Sequence, residues 1–214
     1  MRLNTSIEDI PNGTNILDIE VPDELRKRVK TGIVYFDDAL GGRGLTPSMV
    51  TLFTGTPGAG KTTMMLELAN SLTGNGGNVL FNTGDELRAA QPDKPFVLVI
   101  DSLQTLNDGK YGEHNVNNKT AERSLLMITE YCKSTFANAI VIGQVTKDGK
   151  MAGANVLKHM VDALITLDVE RKDDDLMGCR ILQTEKNRFG GAAHTFWLAI
   201  RERGFQEISR MSVT

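Results

Sequence analysis

Four short apolar, β-rich runs mark the first two thirds of the chain: MVTLFTG (49–55), NVLFNT (78–83), PFVLVID (95–101) and NAIVIGQ (138–144). Brief, nearly continuous apolar character of this kind predicts strands buried on both faces, as in a parallel sheet. Between the runs the period becomes helical. KTTMMLELANSL (61–72), closed by Gly74, predicts one helix, and TAERSLLMITEYCKSTFAN (120–138) another, with Ala121, Leu125, Ile128, Cys132 and Phe136 on one face. TGIVYFDDALGG (31–42) predicts a short helix with Thr31 as cap and Gly41-Gly42 as stop. Strand alternating with helix is the signature of an α/β fold, here a mostly parallel sheet flanked by helices. After Ala163 the pattern changes again. ALITLDVE, CRILQTEKNR, HTFWLAI and FQEI predict a β-meander that extends the sheet at its C-terminal side. Residues 1–30 are polar and hold Pro11, Gly13, Pro22 and the charged run DELRKRVK; they predict an arm or linker ahead of one domain over 31–214.

Composition narrows the function without naming it. Of 214 residues, 40% are hydrophobic and 24% charged, enough for a sizeable core. Lys and Arg number 24 against 27 acids, a net charge of −3, so nucleic-acid binding would have to come from local basic loops. The two cysteines, Cys132 and Cys179, form no CxxC pair; this argues against a zinc site or disulfide framework and fits a reducing cytoplasm. The N-terminal MRLNTSIEDIPNG has no signal-peptide core, and no apolar run approaches the ~18 residues of a membrane span. His114 and His194 lack metal-ligand company, and His159, in VLKHMVD, reads as structural. Met64, Met65 and Met127 read as core fillers, Cys132 as a buried apolar residue, and Trp197 as packed or half-buried.

The sharpest chemical signal is GTPGAGKT, which fits G-x-x-x-x-G-K-[ST] between a predicted strand and a predicted helix. Gly55, Thr56, Pro57, Gly58, Ala59, Gly60, Lys61, Thr62 and Thr63 are therefore read as the cradle for the phosphates of ATP. Lys61 is expected at the β- and γ-phosphates and Thr62 at Mg²⁺. Asp101 ends the strand PFVLVID, where an acid can hold the same metal, often through water, while Ser102 shapes the turn. Asp85 and Glu86, after the second strand, are open to two readings: a carboxylate that polarises the attacking water, or a helix cap. Gln144 ends NAIVIGQ, where its amide could report the γ-phosphate. By itself TEKNRFGG (184–191) reads as a solvated strand end; strand pleating puts Lys186 and Arg188 on one face.

Taken together, KTGIVYFDDALGG, GTPGAGKTT, NVLFNTGDE, VLVIDSLQTL, VTKDGKMAGANVLKHMVD and KNRFGG resemble the ATPase core of the RadA/Sms family, in the RecA superfamily, from about Thr31 to Ile208. The resemblance implies a RecA-like P-loop ATPase that assembles head-to-tail into a ring, a hexamer by analogy, or a filament. It implies that Lys186 and Arg188 reach the neighbour's ATP, with Gly190-Gly191 turning the chain behind them. It also implies two channel loops, about 103–119 and 146–155, in which Lys110, Tyr111, Lys147 and Lys150 contact single-stranded DNA, and a cytoplasmic, nucleoid-associated protein. A KaiC-like regulatory ATPase acting on protein partners is the alternative.

Three departures accompany the resemblance. The family's pattern leads one to expect a four-cysteine zinc finger, whereas these residues hold two cysteines, and a Lon-protease-like domain after the core, whereas the sequence runs to Thr214; within the core, only GDELRAAQPDKP joins two strands where relatives have a helix–strand–helix segment. One short helix, about 85–91 and ended by Pro92, is expected there, in a sheet one strand smaller than usual.

Overall fold

The computed structural model describes residues 23–82, 96–106, 118–144, 154–192 and 194–208. The apolar runs become the middle of an eight-stranded sheet. Its strands are β1 (Val50–Thr54), β2 (Asn78–Asn82), β3 (Phe96–Asp101), β4 (Asn138–Ile142), β5 (Ala163–Val169), β6 (Arg180–Asn187), β7 (Thr195–Arg201) and β8 (Gly204–Glu207), in the order β2-β3-β4-β1-β5-β6-β7-β8. From β2 across to β5 every pairing is parallel; from β5 to β8 every pairing is antiparallel. The meander expected after Ala163 thus extends the parallel sheet on one side. Every residue of β1 and β4 is buried, which is why these runs show no polar alternation.

The helices are α1 (Asp23–Arg26), α2 (Val34–Ala39), α3 (Lys61–Gly74), α4 (Asn118–Thr135) and α5 (Ala154–Met160). Alternate strand residues feed two cores. On one face Phe53, Val99, Ile140 and Ile165 pack with Phe36 of α2 and Met64, Met65, Leu68 and Leu72 of α3. On the other, Leu52, Leu98, Val141 and Leu164 pack with Leu125, Ile128 and Cys132 of α4 and Leu157 of α5. Helices on both faces satisfy a parallel sheet. Burial, helped by Asp162, pushes the Cys132 thiol up to about 12, so it packs as an apolar group.

Several local expectations are corrected. Ile33, not Thr31, is the N-cap of α2; Thr31 instead donates its N–H and hydroxyl to Asp37 Oδ1, at 3.0 and 2.8 Å. α4 ends at Thr135, and Phe136 lies beyond it with φ 60°. Met64 and Met65 are fully buried core fillers, but Met127 is 59% exposed on the outer side of α4. Trp197 is half-buried. β2 and β3 are direct parallel neighbours, Asn78 opposite Phe96. Residues 83–95 alone join them, and the short helix expected there lies outside the described residues. The polar arm is tied to the domain at its end, where Val29 and Leu45 exchange two backbone hydrogen bonds.

Candidate nucleotide-binding site

β1 delivers the chain into GTPGAGKT and α3 carries it away. At the entry β5 lies against the backbone. A Cβ on Gly55 would sit 1.9 Å from the Leu167 carbonyl oxygen, so only glycine fits. At the exit Gly60 is the N-cap of α3 with φ 98°. The first-turn N–H groups of α3 have no intrahelical acceptor and lie at the positive end of its dipole. Midway, the side-chain direction at Gly58 meets no atom within 4 Å. The loop borders a cleft of about 490 Å³, completed by Thr62, Thr63, Asp101, Ile142 and Gln144.

Lys61 Nζ donates to the carbonyls of Gly55 and Thr56, at 2.9 and 3.0 Å. Burial lowers its pKa, opposed in part by the charges of Asp101 and Asp168. The Thr62 hydroxyl donates to Asp101 Oδ2 at 2.5 Å, although α3 and the end of β3 are far apart in sequence. Ile142 faces Asp101 in the sheet, and two residues on Gln144 lines the cleft. Its N–H donates to Gln104 Oε1 at 3.1 Å, its carbonyl accepts from Gln104 Nε2 at 3.4 Å, and its amide nitrogen lies 3.4 Å from Ser102 Oγ. These groups fit magnesium-bound ATP. There is open room beside Gly58, a half-buried cation whose hydrogen bonds among the described residues go to carbonyls, and a hydroxyl–carboxylate pair suited to a hard divalent ion.

The structure therefore brings together Gly55 through Thr63, Asp101 and Gln144. Asp85, Glu86, Lys110, Tyr111, Lys147 and Lys150 lie outside the described residues. Three charged or polar residues not singled out from the sequence also matter: Gln104, which fixes Gln144, and two that touch the phosphate loop. Asp168 Oδ1 accepts from the Thr56 N–H at 3.0 Å, and Arg180 Nε donates to the Ala59 carbonyl at 2.9 Å. Asp168 is an acid within the apolar run ALITLDVE, a signal that could have been read; Arg180 looks like any hairpin charge.

Lys186 and Arg188 stand elsewhere. Lys186 is level with Leu164 on β5 and so with Leu52, while the Arg188 N–H donates to the Asp162 carbonyl and the Asp162 N–H to that of Val50, so the pair lies toward the end of the sheet where β1 begins, away from the loop. The two do share a face. Lys186 Nζ donates to the Lys158 and Val161 carbonyls, both at 2.7 Å. Arg188 Nη1 pairs with Asp162 Oδ1 at 3.2 Å, and Nη2 donates to the His159 carbonyl at 3.1 Å. All four partners close the end of α5. A register shift leaves Glu185 unpaired, and it joins the same cluster through Lys158 at 3.0 Å. Burial, then the charge of Arg188, lowers the Lys186 pKa. Behind them Gly190 lies against α2's exit: a Cβ there would come within 3.0 Å of the Leu40 carbonyl oxygen. Close approach, rather than an unusual φ, calls for glycine at 190.

A family model described as "ATPase: KaiC" matches residues 29–94. DNA repair protein RadA of Aquifex aeolicus is 30% identical over 88% of this chain and 48% of its own length. The corresponding figures are 28%, 95% and 49% for RadA of Bacillus subtilis, and 32%, 84% and 45% for RadA of Mycolicibacterium smegmatis. The chain thus spans about half the length of these relatives. A KaiC-like protein of Pyrococcus horikoshii superposes with a TM-score of 0.62 over 86% of this chain and 99% of the other, at 18% identity, which is a likeness of fold alone. By its phosphate loop, its strand order and these relatives together, the chain carries a RadA-like ATPase domain of the RecA superfamily.

Proposed function

We propose that this chain hydrolyses ATP at interfaces between copies of itself and uses the energy to move on or remodel single-stranded DNA in recombination, repair or replication. The observation that carries the reading is the placement of a phosphate cradle at one end of the sheet and a pair of cations at the other. Both ends cannot serve one nucleotide within a chain. They can when copies stack head-to-tail, a heterologous contact that closes into a ring or extends as a filament. Bound magnesium ion would neutralise phosphate charge and orient the terminal phosphoryl group. The loop amides and Lys61 would hold the phosphates, Thr62 and Asp101 the metal, and Gln144 would sense the terminal group. Lys186 and Arg188 of the adjacent copy would stabilise the charge that develops there, after exchanging their α5 carbonyls for phosphate oxygens. Asp85 or Glu86 would orient water. Contact with DNA through Lys110, Tyr111, Lys147 and Lys150 is supported by the DNA-repair relatives. A cytoplasmic, nucleoid-associated place follows from the same reading.

The KaiC-type family match favours a second reading, a regulatory ATPase that acts on protein partners. ATP turnover with and without single-stranded DNA, across protein concentrations, separates the two. The first expects turnover per chain to rise steeply with concentration and with DNA. Turnover indifferent to DNA would favour the second, and turnover independent of concentration would remove the shared site.

A further inference from the structure

The geometry points to Asp168 and Arg180 as a pair of positioning residues that set the peptide planes of the phosphate loop from below. This inference rests on the proposed nucleotide-binding reading. The two residues stand at the base of one hairpin: Asp168 near the end of β5, Arg180 at the start of β6 opposite Val169. They grip the loop at its two ends with opposite polarity. Asp168 takes the N–H of Thr56 at 3.0 Å, and Arg180 takes the carbonyl of Ala59 at 2.9 Å. Only Asp101–Ser102 is a cis peptide among the described residues, so both gripped units are trans. In a planar trans unit the C=O and N–H point in opposite directions. Fixing the Thr56 N–H downward turns the Gly55 carbonyl up, and that carbonyl is one of the two holding Lys61 Nζ, at 2.9 Å. Fixing the Ala59 carbonyl downward turns the Gly60 N–H up, toward the cleft that Gly60 lines. One brace therefore sets the lysine, and the other presents a donor to a phosphate oxygen.

Arg180 is suited to the task because its second anchor is local. Its Nη1 also donates to the Gly178 carbonyl, which ties the guanidinium to its own turn. Among the described residues it makes no ion pair, so its hydrogen bonds go to backbone carbonyls alone.

The test uses the full chain with Arg180→Met, Arg180→Lys and Asp168→Ala. ADP affinity is measured by calorimetry, amide exchange of the loop peptide without nucleotide, and thermal unfolding without nucleotide. Loss of a charge-assisted hydrogen bond predicts about tenfold weaker ADP binding for Arg180→Met. Faster exchange over residues 55–63 and an unchanged melting temperature are expected with it, and Arg180→Lys restores part of both. Asp168→Ala, which leaves the Thr56 N–H without its acceptor, weakens ADP binding in the same direction and gives a second route should Arg180→Met fold poorly. If wild-type protein binds no ADP, the parent reading fails and this one with it. If wild type binds, and either Arg180→Met with unaltered melting or Asp168→Ala binds equally well with unaltered exchange, the brace alone is overturned.

Discussion

Lys61 and Lys186 point to opposite ends of one sheet: the first lies beyond the exit of β1, and the second is level with Leu52 and reaches back to the Val161 carbonyl ahead of β5. At about 3.3 Å per residue, the three steps from Leu52 to Gly55 separate the level of Lys186 from the start of the loop by roughly 10 Å, before the width of β5 and β6 is added. A shared catalytic site needs this polarity, and mixing variants tests it. Lys61→Ala and Lys186→Ala should each be nearly inactive in ATP turnover, and Lys186→Ala should still bind ATP. In a one-to-one mixture, about a quarter of randomly formed heterologous interfaces pair an intact loop with an intact Lys186. Turnover should recover toward that fraction. A mixture as inactive as its components would show that the two lysines do not serve one site.

Thr62 and Asp101 join the first helix after the loop to the third strand by a single short hydrogen bond. An acid so placed can hold a magnesium ion through water, and loss of such a partner costs about 10-fold to 100-fold in metal affinity. Asp101→Asn keeps an acceptor for Thr62 but removes the charge. ATP binding without metal should persist in this variant, while the gain in affinity on adding Mg²⁺ shrinks by about that factor. Calorimetric titration at fixed and varied magnesium separates the two quantities. An undiminished magnesium gain would remove Asp101 from the metal site.

Much of this was legible in the sequence, for identifiable reasons. The phosphate loop was, because the motif is local and its flanking strand and helix show in periodicity. The parallel core was, because a strand such as NAIVI is apolar on both faces. The whereabouts of Lys186 and Arg188 were only half legible. Pleating gave the shared face, but the partners come from α5 and the register shift at Glu185, which only tertiary pairing defines. Met127 misled because a methionine on a helix does not say which side faces the sheet. Arg180 and Gln104 were illegible because each acts by touching backbone or a side chain distant in sequence.

Asp162 is a structural hinge point between the two cations and the first strand. Its Oδ2 accepts from the Val50 N–H at 3.1 Å while Oδ1 pairs with Arg188 at 3.2 Å, and its side chain is only 9% exposed. Truncation leaves a buried N–H without an acceptor and an arginine without its counter-charge. Because Arg188 remains half-exposed, solvent offsets part of the loss, and Asp162→Ala should destabilise the fold by about 2–3 kcal/mol. Asp162→Asn should cost less, since an amide oxygen can still accept from Val50. Urea unfolding with an unchanged m-value is the check. A midpoint for Asp162→Ala equal to wild type would mean that the contact carries little of the fold's stability.

Lys61 should give nucleotide binding a pH signature. Burial lowers its pKa from the ordinary 10.5, and Asp101 and Asp168 offset this only in part. Phosphate oxygens near the ammonium favour the charged form, so binding raises that pKa again. A ligand that raises a pKa binds best while the group is protonated. Affinity is therefore full below the free protein's lowered value, and it declines as pH rises from there toward the value in the complex. The decline should begin below pH 10.5, earlier than an exposed lysine would give. Lys61→Arg keeps its charge throughout this range, so whatever affinity it retains should stay level where wild type falls. ADP titrations across the alkaline range measure both profiles. Parallel profiles for wild type and Lys61→Arg would show that the lysine's charge is not what holds the phosphates.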